Sequence, residues 1–381
     1  MKSELSPKIA VFLGAGASAF AKYRTFATFR DLIFDQSVRN QEELPTLHDG
    51  TAPLILEIEK SLQLRKKTYT HDNYMWTLSE YDKFCTTFGS EESIQRRFKN
   101  IWEGFGPFST TVKQAINDIE TTTLFHYSVN RVAFERSKNS DTFHFMKKSA
   151  EFYARLSEIN APNKGFLPIF TTNYDLLLED NFSDSEVASD IPDVELITGL
   201  PLSRAEGVRW DYSLYDRSAT VGIHLYRIHG CVCWFYHAPG NPHIYHHRRD
   251  LFQQDWDRRL CVMFPGREIY RGNDPHARGF RQFHRALSSY KVILFIGFSF
   301  RDDDVLQILL SVNAQRKIPI KIVTVNPVLG QNELMTILED ATSRIALPVR
   351  IPALDDILSL NIWFGRGDFD RQIMDAITAI I

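Results

Sequence analysis

Four short apolar runs, each closed by small or polar residues, constrain the fold of this chain more than any other feature. They are Ile9–Leu13, Phe166–Phe170, Val292–Ile296 and Ile320–Val325. Continuous apolar runs of this length are what strands buried on both faces of a parallel sheet require. The residues that follow them read GAGAS, TTNYD, GFSF and NP. An open parallel sheet binds its ligand in the crevice at the carboxyl ends of its strands, where these residues fall. The expected fold class is therefore α/β, with a Rossmann-like open parallel sheet.

Between about residues 40 and 160 the pattern changes. Leu54, Ile58 and Leu62 recur at helical spacing, as do Val112, Ile116 and Ile119, and then Phe143, Met146 and Ala150. This predicts a large, mostly helical insertion over 40–160, within a sheet domain made of 1–39 and 161–381. The stretch from Ile191 to Arg285 is rich in Pro, Gly, Trp, Tyr and His and reads as loop-heavy. Asp302 to Asp304 open an apolar helix from Val305 to Val312, where an aspartate is first of all a cap that complements the helix dipole.

Composition narrows the function classes. With 44% hydrophobic and 24% charged residues, 381 residues can bury a large core. A net charge of −3 gives no global attraction to nucleic acid or anionic membrane. Arg65-Lys66-Lys67 and Arg248-Arg249 read as solvated faces, so neither direct nucleic-acid binding nor a membrane partner is expected. Four cysteines in so long a chain do not read as a disulfide framework; they read as reduced thiols of a cytoplasmic protein. Residues 9–19 imitate a signal peptide, but the two glycines in the middle favour a strand running into a turn.

Gly14-Ala15-Gly16-Ala17-Ser18-Ala19 satisfies the relaxed GxGxxA form of the dinucleotide fingerprint. Glycines there let backbone amides approach a pyrophosphate. A tight strand–helix turn explains the same residues. A dehydrogenase would next show a second strand ending in an acidic residue. Asp31 and Asp35 lie instead in a polar, helical-looking segment, which counts against hydride transfer.

Taken in order, GAGAS, TTNYD, IHG, GFS and the late pair Val325-Asn326 follow the sequence found in sirtuins. The chain resembles the sirtuin superfamily. The forms TTNYD, HGxVxW and GFSFRDDD are most similar to its prokaryotic sirtuin-like branch, many members of which serve in antiviral defence. The resemblance covers residues 7 to 35 and 165 to 330, and leaves the helical insertion aside. It implies NAD+ as substrate, with phosphates on Gly14, Ala15, Gly16 and Ser18. Phe29-Arg30 would match the loop that covers the nucleotide. Asn173 and Asp175 would line the nicotinamide–ribose end, with Asn173 catalytic. His229 would be the catalytic histidine, and Gly297, Ser299 and Asn326 would contact the phosphate and the adenosine ribose. Sirtuins place an aspartate just before the Phe-Arg pair; this chain has Thr28.

Sirtuin deacylases also carry zinc on two CxxC pairs after the histidine. Here LYRIHGCVCWFYH offers Cys231-x-Cys233, and beyond it only Cys261 and the distant Cys85 remain. A Cys₄ site of the usual spacing cannot be built from these, although His237, His243, His246 and His247 are near in sequence. We expect no metal, with His229 as the functional residue and the cysteines as small apolar residues on the following strand. A histidine can take a proton from water or a ribose hydroxyl, and an asparagine can hold ribose and water in line. The expected function is NAD+ hydrolysis to nicotinamide and ADP-ribose by a gated effector of bacterial anti-phage defence. A homo-oligomer is expected, and the resemblance adds a HerA-type hexameric ATPase as a partner. The alternatives are a non-catalytic nucleotide-sensing or scaffold subunit, and an NAD-dependent protein deacylase.

Overall fold

A computed structural model of the chain describes residues 9–19, 29–41, 44–64, 71–88, 107–135, 141–160, 166–183, 194–200, 208–217, 222–238, 241–246, 260–262, 274–345 and 348–381. The chain divides into two compact units, one of residues 1–22, 137–261 and 272–381, the other of 23–136 and 262–271.

The first unit is built on a seven-stranded parallel sheet in a Rossmann-like α/β arrangement. Its strands are β1 (Ile9–Leu13), β2 (Leu167–Thr171), β3 (Glu195–Ile197), β5 (Gly222–Arg227), β9 (Val292–Ile296), β10 (Lys321–Val325) and β11 (Ile357–Leu360). The spatial order is β11-β10-β9-β1-β2-β5-β3, which puts β1 at the centre. β1, β2 and β9 are buried at every position, as continuous apolar runs demand. β2 and β10 each start one residue later than the apolar run that signals them. A second, four-stranded sheet has the order β4-β7-β6-β8, from β4 (Val208–Arg209), β6 (Gly230–Ala238), β7 (Asn241–His246) and β8 (Leu260–Val262).

The stretch from 191 to 285 is thus richer in strands than its composition suggests. β5 is the strand that matters most, and its sequence GIHLYR conceals it. Its polar residues are buried because each finds a partner. The His224 ring stacks on Phe166 at 3.6 Å, and the Arg227 guanidinium forks onto Glu179.

The helical stretch expected over 40–160 is divided between the units. Its last helix, Asp141–Asn160, packs on the sheet, and its buried Phe145 and Phe152 meet the ring of Phe364 near the chain's end at 5.8 Å each. Asn160 pins the helix end to β1: its Oδ1 accepts from Ile9 N at 3.0 Å, and its Nδ2 donates to Ile9 O at 2.8 Å. The second unit holds the helices Phe29–Phe34, Gln36–Gln41, Thr51–Leu64, His71–Phe88 and Phe108–Glu135. There Leu54, Ile58 and Leu62 bury one stripe, and Val112, Ile116 and Ile119 another, on two helices in contact. Among the described residues no helix is long and apolar enough to cross a membrane.

Candidate functional site

Parallel pairing aligns the ends of five strands. Val325 is in register with Ile296, Ile296 with Leu13, Leu13 with Thr171, and Thr171 with Arg227. Each of these residues precedes a loop that carries sequence-predicted site residues: Asn326, Gly297 and Ser299, Gly14 to Ser18, Asn173 and Asp175, and His229. One row of backbone therefore delivers all five loops to the same edge of the sheet.

The glycines of two loops interlock. Gly14 N donates to Ile296 O at 2.9 Å, and Gly16 N to Gly297 O at 3.0 Å. A Cβ on Gly14 would lie 2.6 Å from Gly297 O, and one on Gly16 would lie 2.8 Å from Gly297 Cα. Gly297 has φ +62° and would place a Cβ 2.2 Å from Ala17 N. Close backbone approach, rather than turn conformation alone, is what demands glycine at 14 and 16. Gly297 N donates to Val325 O at 2.8 Å, and Asn326 Nδ2 to Phe298 O at 3.2 Å, so the loops after β9 and β10 are tied as well. Ser299 is exposed at this edge. Beside it Phe300 is buried at φ +55°, a strained region for an aromatic residue. Its ring is held by Phe295 at 4.7 Å and Phe298 at 5.0 Å.

Asn173 joins β2 to the glycine turn. Its Nδ2 donates to Gly14 O at 3.0 Å and to Ser18 Oγ at 3.2 Å. The Ser18 hydroxyl donates in turn to Asp175. Burial pushes the Asp175 carboxyl up, with Arg227 opposing it. Arg227, itself buried, donates from Nη1 to Asn173 O at 2.9 Å and from Nε to Glu179 at 2.7 Å. Burial alone would lower the Arg227 guanidinium, but Glu179 raises it further, so it stays charged. Ser18, Asn173, Asp175 and Arg227 line a narrow cleft with Tyr153 and Asn181. Ser149 Oγ donates to Met146 O at 2.9 Å and so can only accept from Asn181 Nδ2, also at 2.9 Å. That orients the Asn181 amide and leaves its buried Oδ1 as an acceptor without a donor among the described residues.

His229 follows β5 in a turn closed by Gly230 at φ +84°. Its Nε2 lies 3.1 Å from Asp302 Oδ2. Burial pushes the Asp302 carboxyl up, but His229 and the amides of Val305 and Asp304 pull it further down, so it sits below the usual carboxylate value. Behind it His276 is wholly buried, with Nδ1 2.8 Å from Ile228 O, and burial lowers its pKa to about 4. The sequence alone marks Asp302 only as a helix cap. It is one, accepting from Asp304 N and Val305 N at 3.1 Å each. Nothing in the spacing of 73 residues between them signals the contact with His229.

Phe29 and Arg30 lie in the helical unit. Arg30 donates there to Glu59, from Nε at 2.7 Å and Nη2 at 3.2 Å, and Tyr74 OH donates to the same carboxylate at 2.6 Å. Thr28 lies outside the described residues. Among the described residues no group of three or more His, Cys, Asp or Glu could hold a metal ion. Cys231 is buried on β6, as a small apolar residue would be. The side chains of Cys233, His237, His243, His246 and Cys261 lie outside the described set, as does His247 entirely.

Residues 168–341 match the family model of the SIR2-like domain, which supports kinship with the sirtuin superfamily. The matched span contains Asn173, Asp175, His229, Gly297, Ser299 and Asn326. Similar solved structures include a triple mutant of a Sir2 homologue in complex with 2′-O-acetyl ADP-ribose. It is 13% identical with a TM-score of 0.43, over 100% of this chain and 96% of that one. A structure of Sir2Tm bound to a propionylated peptide is 13% identical with a TM-score of 0.37, over 98% of this chain and 94% of that one. No curated protein matches the chain.

Proposed function

We propose that the chain is an NAD+ glycohydrolase. The observation that carries this reading is the aligned row of strand ends, which sets the glycine turn beside the loops of Asn173 and His229. The SIR2-like match over 168–341 supports NAD+ as the ligand. The half-buried residues Ala15 and Gly16, with Gly14 and Ser18, would take the phosphates. Gly297, Ser299 and Asn326 would take the adenosine-side ribose, and Asp175 the nicotinamide end.

The chemistry balances without a metal. The C1′–N glycosidic bond breaks, and its electron pair goes to the pyridinium nitrogen, so nicotinamide leaves neutral and needs no general acid. Water attacks C1′, and its proton passes to His229 and then to solvent. Asn173 would hold the ribose and water in line, using the amide that now bridges Gly14 and Ser18. Extended by the resemblance to defence proteins, the reading makes the chain a gated effector. It would work as a homo-oligomer in the cytoplasm, with a HerA-type hexameric ATPase as a partner.

The test is incubation of the purified chain with NAD+, with and without an acyl-lysine peptide. Nicotinamide and ADP-ribose in equal amounts without peptide support the glycohydrolase. Release that depends on peptide would make it a deacylase, and no release in any assembly state would make it a sensor.

A further inference from the structure

Asp302 uses its two oxygens for two separate tasks. Oδ1 caps the helix Asp303–Gln315 by accepting from Asp304 N and Val305 N. A cap needs no more than that. Oδ2 is turned the other way, 3.1 Å from His229 Nε2, with the two side chains only 18% and 10% exposed. The carboxylate is thus held rigidly by the helix start while it faces the histidine. The ring of His276 beside His229 is buried and kept neutral by that burial, whereas Asp302 is a charged partner of His229 among the described residues.

We propose that Asp302 is a positioning residue that sets the tautomer of His229. A neutral imidazole carries one N–H. With Nε2–H donated to Asp302, Nδ1 is the nitrogen that accepts the proton. In the hydrolytic step the water O–H bond breaks, its electron pair forms the bond to C1′, and the proton goes to Nδ1. The resulting imidazolium is offset by the Asp302 carboxylate at its far side. The same logic orients the histidine of hydrolytic triads, where an amide in place of the carboxylate selects the wrong tautomer and costs about 10⁴ in kcat. This inference rests on the NAD+ cleavage reading for its effect on rate, but not for the tautomer itself.

Two substitutions separate the two tasks. Asp302→Asn and Asp302→Ser both keep a good helix cap, so both should melt within a few degrees of wild type. Both should lose at least a hundredfold in kcat while KM for NAD+ stays within threefold. Asp302→Asn combined with His229→Ala should be no slower than His229→Ala alone. Nitrogen-15 NMR of the His229 ring, which requires no turnover, should show the proton on Nε2 in wild type and on Nδ1 in Asp302→Asn. An unchanged tautomer in Asp302→Asn, or kcat at or above wild type, would overturn the proposal. A wild-type chain that shows the Nε2 tautomer but never cleaves NAD+ would overturn the functional reading instead.

Discussion

Gly297 lies against the backbone of Gly16, with a notional Cβ only 2.5 Å from Gly16 Cα. The two loops meet without room for a methyl group, and the costs of the glycines can be separated. Gly367 has φ +61° with open space around it, so Gly367→Ala pays only for the left-handed conformation, about 1–2 kcal/mol. Gly16→Ala meets a steric clash without that conformation, and Gly297→Ala meets both. Urea unfolding should rank destabilisation as Gly297→Ala above Gly16→Ala, with Gly330→Ala, whose surroundings are empty, near neutral.

Arg227→Met should be among the most damaging single changes in the sheet unit. It strands the Glu179 carboxylate and leaves Asn173 O without its guanidinium donor. Losing one partner of a buried pair costs about 3–5 kcal/mol, and replacing both with apolar residues recovers much of it. Arg227→Met with Glu179→Leu should therefore be more stable than Arg227→Met alone by denaturant titration. Equal stability of the single and double variants would show that the pair is not what holds β5.

How far the sequence announced this arrangement differs by element. β1, β2, β9 and β10 were legible because strands buried on both faces leave continuous apolar runs. β5 was not, because His224 and Arg227 break its run, and partners distant in sequence, Phe166 and Glu179, make their burial possible. The spacing of Phe143, Met146 and Ala150 marked a helix but could not say which unit it packs on. Gly14, Asn173 and Gly297 were legible as loop residues after strands, whereas His229 was marked only by the IHG motif that the resemblance picks out. Asp302 was legible only as a cap, since the second oxygen's contact is set by tertiary structure.

Acid should destabilise the fold well above the range of ordinary carboxylates. His224 and His276 are both lowered to about 4 by burial, from an ordinary value of 6.5. The unfolded chain therefore binds protons that the folded chain refuses. The stability they contribute is complete above 6.5 and is lost as pH falls towards 4, by about 3 kcal/mol for each. Melting temperature measured from pH 7.5 to 4 should fall through this window, and more shallowly in His224→Phe, which keeps the packing against Phe166. Parallel curves would mean that His224 titrates normally in the folded protein.

Asn173→Ala should affect both stability and rate. It removes the donors to Gly14 O and Ser18 Oγ, at a cost of about 1–2 kcal/mol. It should also cut NAD+ turnover at least a hundredfold through lost positioning. Calorimetry of ADP-ribose binding separates the two: affinity retained within threefold locates the defect in the chemical step, whereas a collapsed melting temperature with lost binding would make Asn173 a structural brace only.

The most direct measurement is nicotinamide release from NAD+ by wild type and His229→Ala at matched concentrations, with ADP-ribose affinity measured on both. The account predicts turnover by wild type, loss of at least a thousandfold in His229→Ala, and equal ADP-ribose binding. A His229→Ala protein that releases nicotinamide at the wild-type rate would contradict it.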